Sequence, residues 1–300
     1  MTTDEKPYHI PVLLDEVIEF MAPKPKGIYG DVTFGGGGHT RALLEKQPKC
    51  EVVAMDWDTV ALEKNGEKLL EEYPKRLTLV WGNFSQVDKH LKKAGFDYVD
   101  ALLADFGTSF YQLTERAGFS FNKDTPLDMR MSPAHQKTTA AEVLNRASEE
   151  TLRDIFTHLG EEPKAKAIAR AIVEERKKQS IRTTKQLTLI IERVLGVRGS
   201  RKIHPATKVF QALRLYINKE IENIESFLVS AMRIIKPGGR LVCISFHSLE
   251  DRLVKQFFKE QEKLGHTIIT PKVVVPTEEE IKRNPASRSA KLRVLELKSV

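Results

Sequence analysis

The stretch 29-YGDVTFGGGGHTRALLEK-46 places four consecutive glycines, Gly35 to Gly38, between a short apolar run and a helical pattern. Glycine removes every side chain from such a turn, so backbone N–H groups can come close to a ligand. A merely flexible loop would not need to sit at the first strand–helix junction, which in doubly wound sheets is where cofactors bind. The dinucleotide fingerprint GxGxxG cannot be laid over the turn: from Gly35 its third glycine falls on Thr40, and from Gly36 on Arg41. A Walker phosphate loop fails too, because no Gly-Lys-Ser/Thr follows. What fits is Asp31-x-x-x-Gly35-x-Gly37, an acid inside the strand followed by spaced glycines.

Working outward, strand-like runs IYGDVTF (28–34), EVVAMDW (51–57), LTLVWG (77–82) and VDALLADF (99–106) alternate with helical stretches near 39–47, 59–72 and 85–94. Thr59 is placed to start the second helix, and Ser85 with Asp88 has the spacing of a capping box for the third. Strands recurring with helices between them predict a parallel sheet with right-handed crossovers. From about 115 to 205 only helical signals remain, with capping boxes at Thr139–Glu142 and Thr183–Gln186 and stop signals at Gly160 and Gly196. Beyond them the pattern predicts a long helix over 206–235, the turn Lys236-Pro-Gly-Gly239 and the strand RLVCISF (240–246). A helix opened by Ser248 with Asp251, strand-like HTIITPKVVV and a final LRVLEL complete the chain. The expectation is an α/β domain from residues 1–114 and 206–300, interrupted by a helical insert at 115–205.

Apolar content of 41% and charged content of 30% belong to a soluble globular protein. Cys50 and Cys243 both fall inside apolar strand-like runs, too few and too distant for a CxxC metal site, which predicts buried thiols in a reducing compartment and no metal. No run approaches 18 uncharged apolar residues, and the N-terminus carries Asp4, Glu5 and Lys6, so a cytoplasmic protein without signal peptide or membrane span is expected. Net charge is +7, which leans toward a polyanionic partner. Residues 115–205 hold 18 Lys and Arg against 12 Asp and Glu, so the central segment carries nearly all of the excess.

The ends of the successive strands offer a set of groups suited to a nucleoside. The acid-plus-glycine pattern at Asp31–Gly37 resembles the first motif of class I S-adenosylmethionine (SAM) methyltransferases, whose cofactor has no pyrophosphate and needs close backbone approach and carboxylates. Asp56, ending the second strand, can accept both ribose hydroxyls, as in nucleotide-binding α/β folds generally. Asn83 and Phe84 end the third, where an amide and an aromatic ring suit adenine. Asp105 ends the fourth and points another carboxylate at the crevice.

Several longer strings make the resemblance specific: HIPVLLDEV (9–17), TFGGGGHT (33–40), GFSF (118–121), PLDMRM (126–131), HPATKVFQALR (204–214), ISFHSLEDR (244–252) and RSAKLR (288–293). Together they resemble the bacterial SAM-dependent 16S rRNA cytosine-N4 methyltransferases, in the family's order and over nearly the whole chain. The resemblance implies a class I SAM-dependent methyltransferase fold, Rossmann-like and doubly wound, with an inserted helical domain. It implies cofactor contacts at Gly37, Gly38, His39, Asp56, Phe84, Asp105 and Gln112, the last reached only through the family. It also implies 16S rRNA in the small ribosomal subunit as partner and a cytidine of the decoding region as target. Departures occur at Asp105-Phe-Gly-Thr-Ser-Phe110, where the family usually shows Asp-Leu-Gly-Val-Ser-Ser. Ala117-Gly118 replaces the usual Arg-Gly, and Asp56-Trp-Asp-Thr59 replaces Asp-Arg-Asp-Pro.

Methyl transfer to an exocyclic amine is an in-line displacement on an activated donor, so the protein chiefly supplies positioning. Cytosine N4 has its lone pair delocalised, and an acceptor for its N–H would help it pyramidalise; Asp105, or a backbone carbonyl and Ser109 just beyond, sits in the right place. Asp105 contacting the methionine amine is the alternative, favoured by the resemblance. The target base must leave its stack, while insert cations hold phosphates, with Arg288, Lys291 and Arg293 as further candidates. Glu174-Glu175-Arg176-Lys177-Lys178 reads equally as a phosphate contact or a solvated helix end. His247-Ser248-Leu-Glu-Asp251 reads as a helix cap, Asp128-Met-Arg130-Met as an RNA or seam element, and Asp105-Phe-Gly as a chance match to a kinase motif. Two other functions compete: an RNA-binding ribosome assembly factor with a vestigial SAM pocket, and a small-molecule methyltransferase.

Overall fold

The computed structural model describes residues 10–107, 117–196 and 204–299. The chain divides into two compact units, Met1–Ser109 with Ile221–Val300, and Phe110–Glu220.

In the first unit the described strands are β1 (Ile28–Asp31), β2 (Glu51–Asp56), β3 (Leu77–Trp81), β4 (Val99–Asp105), β5 (Ile235–Ser245), β6 (Thr267–Ile268) and β7 (Lys291–Glu296). They form one sheet in the order β3-β2-β1-β4-β5-β7-β6. The first five run parallel, while β7 pairs antiparallel with both β5 and β6. The antiparallel edge goes beyond the parallel sheet read from sequence. Alternation explains why both faces are covered. Val52, Ala54, Leu103 and Ile244 enter one apolar cluster, whereas Val53, Met55, Leu102 and Cys243 enter the other. A strand buried on both faces reads as a continuous apolar run, as these do. Cys50 and Cys243 are buried free thiols, and burial raises the pKa of each.

Lys236-Pro-Gly-Gly239, expected as a turn before the strand, lies inside β5 as an irregularity. Val99 pairs with Ile235 and Ala101 next pairs with Arg240, so four residues bulge out. Gly238 sits at φ +72°, and a Cβ on Gly239 would meet the Asp100 carbonyl oxygen at 2.6 Å. Of HTIITPKVVV, Thr267–Ile268 forms a strand and Val274 makes a bridge to Leu292.

The second unit is helical: Ala140–Arg146, Glu149–Asp154, Ala165–Lys178, Thr184–Leu195 and Thr207–Asn218. Leu144, Phe156, Ile168, Ile172, Leu187, Ile191, Val209 and Leu213 form its core. Both capping boxes read from sequence, Thr139–Glu142 and Thr183–Gln186, are present, and Gly160 and Gly196 stand at helix ends. Two expectations change. The single helix expected over 206–235 is two, Thr207–Asn218 and Glu220–Ala231, because Lys219 between them takes a left-handed conformation at φ 50°. The insert boundary expected at 205 falls at Glu220, since Thr207–Asn218 contributes Val209, Phe210 and Leu213 to the helical core.

Asn218 shows why the chain breaks there. Its side chain is fully buried; Nδ2 donates to the Met129 carbonyl at 2.8 Å, and Oδ1 accepts from the Met131 N–H at 2.8 Å. The amide thus does for Met129–Met131 what a neighbouring strand would do. Met129 itself sits at φ 61°, so this clamp holds a backbone geometry that a methionine disfavours.

Candidate functional site

The sheet order reverses between β1 and β4, and ligands of open α/β sheets bind at the carboxyl ends of the strands beside that switch point. The glycine turn leaves β1 there. Gly35 has φ +51°, and Gly37 has φ +75° as the residue capping helix Gly38–Lys46. A Cβ on Gly37 would meet the Phe34 ring at 2.8 Å and one on Gly38 would meet Pro11 at 2.9 Å, so packing excludes side chains at both. At Gly35 the reason differs: a Cβ would meet only the Thr33 carbonyl oxygen, at 3.8 Å. Its main chain faces open space.

Three carboxylates stand around this bare backbone, and two of them, Asp31 and Asp56, tie it down. Asp31, buried at the end of β1, accepts from the Thr40 hydroxyl at 2.7 Å and the Thr33 N–H at 3.2 Å, tying strand to helix across the turn. Burial raises its pKa, opposed by the charge of nearby His39. Asp56 at the end of β2 reaches sideways: Oδ2 accepts from the Gly35 N–H at 2.8 Å and Oδ1 from the Asp58 N–H at 2.9 Å. Desolvation pushes its pKa up to about 7 despite those two hydrogen bonds. From the other side of the turn, Asn65 Nδ2 donates to the Gly35 carbonyl at 3.0 Å. Asp105 at the end of β4 donates its N–H to Thr33 Oγ1 at 2.7 Å and accepts from the Gly107 N–H at 3.0 Å.

The end of β3 supplies an aromatic wall. Phe84 is half-buried, edge-on to Phe227 at 5.6 Å, with Phe106 at 6.0 Å and Trp57 at 6.5 Å between ring centroids. Such tilted contacts fix the ring's plane. Asn83, expected to meet adenine, is spent locally: its Oδ1 accepts from the Ser85 N–H at 2.9 Å and its amide donates to Asn223 at 3.2 Å. The Ser85–Asp88 capping box is therefore absent; Asn83 caps the turn, and Asp88 pairs with Arg233 at 3.3 Å. At the preceding helix Asp58, not Thr59, is the cap.

The expected site residues thus divide. Gly37, Gly38, Asp56, Phe84 and Asp105 all lie at this rim. His39 does so through its backbone alone, for its ring is buried with Nε2 donating to the Val12 carbonyl at 2.9 Å. Ser109 and Gln112 lie outside the described residues. A cavity of about 430 Å³ opens on the helix side of the turn, lined by Pro11, Gly36, Gly37, Gly38, Lys64 and Lys68 among others, and Asp56, Phe84 and Asp105 take no part in it.

The arrangement fits a nucleoside with a charged, phosphate-free tail. Gly35 offers a face that a side chain would fill, the desolvated Asp56 carboxylate gains from two hydroxyl donors, and Phe84 provides a ring of fixed orientation. Among the described residues no cluster of side chains could hold a metal ion.

Several basic candidates have internal duties. Arg293 is bidentate with Asp251, at 2.7 and 3.3 Å, and Lys291 joins at 3.5 Å, so both candidates already have an internal partner; Arg288 is exposed. In Glu174–Lys178, Arg176 donates to the Leu144 and Ala147 carbonyls at 2.8 and 2.6 Å, ending the helix Ala140–Arg146. Lys177 and Lys178 pair with Glu174 and Glu175, so this run is a helix end. Asp128 and Arg130 form a bidentate pair at 2.6 and 2.9 Å. His247 does cap its helix, but with Glu250 as partner rather than Ser248 with Asp251. That Glu250 is buried, and its Oε2 also accepts from the Phe246 N–H at 2.8 Å.

The seven-stranded order with an antiparallel seventh strand, a bare turn after β1 and acids ending β1, β2 and β4 define a class I SAM-dependent methyltransferase. Residues 6–298 match the MraW methylase family, and the chain belongs to it. Similar proteins include one from Thermomicrobium roseum, 47% identical over 96% of this chain and 93% of its own length, and one from Desulfotalea psychrophila, 47% identical over 98% and 99%. A third, from Carboxydothermus hydrogenoformans, is 44% identical over 96% and 97%. All three are named ribosomal RNA small subunit methyltransferase H.

Proposed function

We propose that this protein methylates the exocyclic N4 of a cytidine in the decoding region of 16S rRNA, the RNA of the small ribosomal subunit. The observation that carries this reading is the Asp56–Gly35 hydrogen bond at 2.8 Å, which sets a half-buried carboxylate beside open main chain. Its near-full-length likeness to small-subunit rRNA methyltransferases supports the substrate. SAM, when bound, supplies a methyl group already activated on a sulfonium.

The chain's own groups then have three tasks. Asp56 receives the ribose hydroxyls, and Phe84 covers the adenine. Gly35 to Gly38 let the tail pass close to the main chain. Asp105, held toward the crevice by the Gly107 N–H, accepts either the tail's amine or an N4 proton of the target base. In the first role Asp105 governs cofactor affinity; in the second it governs the chemical step. Ser109, outside the described residues, is the alternative acceptor for the N4 proton, and the helical unit would hold the RNA. The described helices include none long and apolar enough to cross a membrane.

The test is to incubate the protein with SAM and small subunits lacking the modification, then to digest the rRNA and measure N4-methylcytidine by mass. Appearance of that nucleoside, and its loss with Asp105→Ala, supports the reading. Methylation at another atom would overturn the assigned target. No binding of SAM in calorimetry, beside tight RNA binding, would make the protein an assembly factor instead. Turnover of free nucleosides would point to a small-molecule substrate.

A further inference from the structure

Several described cations of the helical unit are already committed. Arg130, Arg153, Arg193 and Arg214 pair with acids, and Arg176 caps carbonyl groups. Lys177 and Lys178 pair with Glu174 and Glu175, and Lys208 donates to the Glu161 carbonyl at 2.8 Å. A cation held in an internal pair has little left to offer a passing phosphate.

Helix Ala165–Lys178 contrasts with this in its first turns, before the committed Arg176, Lys177 and Lys178. Its inner face, Ala165, Ile168, Ala169 and Ile172, is buried. The opposite face repeats at 163, 166, 167, 170, 171 and 174, the three- and four-residue spacing that makes one stripe. It forms a groove of about 530 Å³ lined by Pro163, Ala167 and Ala171, by the cations Lys164, Lys166 and Arg170, and at one end by Glu174. These three cations are exposed and enter no ion pair among the described residues. Glu174 at its end pairs with Lys177 at 2.9 Å and feels the charge of Arg170 more weakly, without an ion pair between them. Small side chains in the groove let a bulky polyanion come close to the helix, and the cations stand where phosphates would pass.

We propose that Lys164, Lys166 and Arg170 form a phosphate-binding surface for the ribosomal RNA substrate. This rests on the function proposed above and adds the place where the helical unit grips its RNA. Three cations meeting phosphates release condensed counterions, so the surface contributes about 0.7 per cation for a single strand, or about 0.9 for a duplex, to the slope of log affinity against log salt.

The test compares the full-length triple variant K164Q/K166Q/R170Q with a control triple, K137Q/R182Q/K185Q, which removes the same charge from exposed positions elsewhere on the unit. Binding to a small-subunit rRNA transcript and to the isolated small subunit is measured from low to moderate salt, with SAM affinity and Tm alongside. The expected result is a salt slope shallower by about 2 to 3 and at least tenfold weaker binding to both RNA forms at physiological salt, with SAM affinity and Tm unchanged and the control near wild type. Equal losses in the two triples would mean that net charge alone matters and would overturn the surface. An unchanged slope would overturn it as well. Weaker binding to the small subunit with normal binding to the transcript would assign the face to a ribosomal protein and exclude the RNA contact. Wild-type protein that binds SAM but neither RNA form would refute the proposed function, and this surface with it.

Discussion

Replacing Asp56 with alanine separates the two jobs its carboxylate holds. In the free protein it accepts from Gly35 at 2.8 Å and Asp58 at 2.9 Å; in the cofactor complex it would also receive two ribose hydroxyls. Hydrogen bonds to a charged group are worth about 1.5–3 kcal/mol each, so losing two removes about 3–6 kcal/mol of binding, on the order of a hundredfold to ten-thousandfold in Kd. The assay is calorimetric titration with S-adenosylhomocysteine, the unreactive product. Its pH dependence carries a second signature. With a pKa of about 7 in the free protein, Asp56 is largely neutral at pH 6, whereas hydroxyl donors favour the carboxylate and draw protons off. Binding therefore releases a proton below pH 7, and wild-type affinity climbs with pH by up to about tenfold per unit before levelling off near 7. The alanine variant should lack that rise. Affinity within about threefold of wild type, or an unaltered pH profile, would remove Asp56 from the pocket.

The same raised pKa works in the opposite sense on folding. Native Asp56 holds its proton up to about pH 7 while the unfolded chain releases it near the ordinary carboxylate value. Its contribution to stability is thus fully present at low pH and is lost as pH rises toward 7, at no more than about 1.4 kcal/mol per unit, less for its partial exposure. Asp56→Ala should cost more stability at pH 5 than at pH 8, read as the difference in urea midpoints.

Three further outcomes follow from the packing. Gly37→Ala forces a side chain to φ +75° and against the Phe34 ring, so a loss of about 2–4 kcal/mol in stability and weak cofactor binding are expected from denaturant melts and titration; a neutral result would mean the turn rearranges freely. Asn218→Leu strands the Met129 carbonyl and Met131 N–H and should cost about 3 kcal/mol or more, seen as a lower Tm of the full protein; an unchanged Tm would show that the clamp contributes nothing. Arg293→Ala leaves Asp251 without its bidentate partner and should lower stability by about 2–4 kcal/mol while sparing RNA affinity in a filter-binding assay. Weaker RNA binding at unchanged Tm would return Arg293 to the substrate face.

The strands were legible because each is buried on both sides and appears as an unbroken apolar run, and the glycine turn because so many bare positions at a strand–helix junction mark close approach, of open main chain at Gly35 and of packed side chains at Gly37 and Gly38. Where acids end strands, their place was also readable, since strand ends meet the crevice by topology. Other features depended on contacts between distant residues. Nothing near Lys219 forbids a continuous helix; the break is fixed by Asn218 meeting Met129, 89 positions away. Lys291 and Arg293 look like free cations until the sheet brings them to Asp251, and Asn83 looks like a base reader until Asn223 takes its amide. Local pattern fixes what a segment becomes, whereas the partner of a polar side chain is settled only by the fold.

That distinction bears on the acids at the rim. Asp56 and Asp105 were expected to await a ligand and Asp31 to mark the turn, yet each already holds a backbone N–H: Asp31 that of Thr33, Asp56 that of Gly35, Asp105 that of Gly107. A turn of four glycines has high conformational entropy when free, so without these bonds binding would have to order it at the cost of affinity. A carboxylate oxygen has capacity for more than one donor, so Asp56 can keep Gly35 in place while receiving a sugar hydroxyl. The acids therefore set the shape of the main chain before a nucleoside arrives, and the bareness of the turn is tolerable because its flexibility has been removed from outside. Loss of Asp56, or of Asp31 at the turn's flanks, should show in cofactor affinity partly as a loosened turn, which hydrogen exchange at the Gly35 to Gly38 amides would register even with no ligand present.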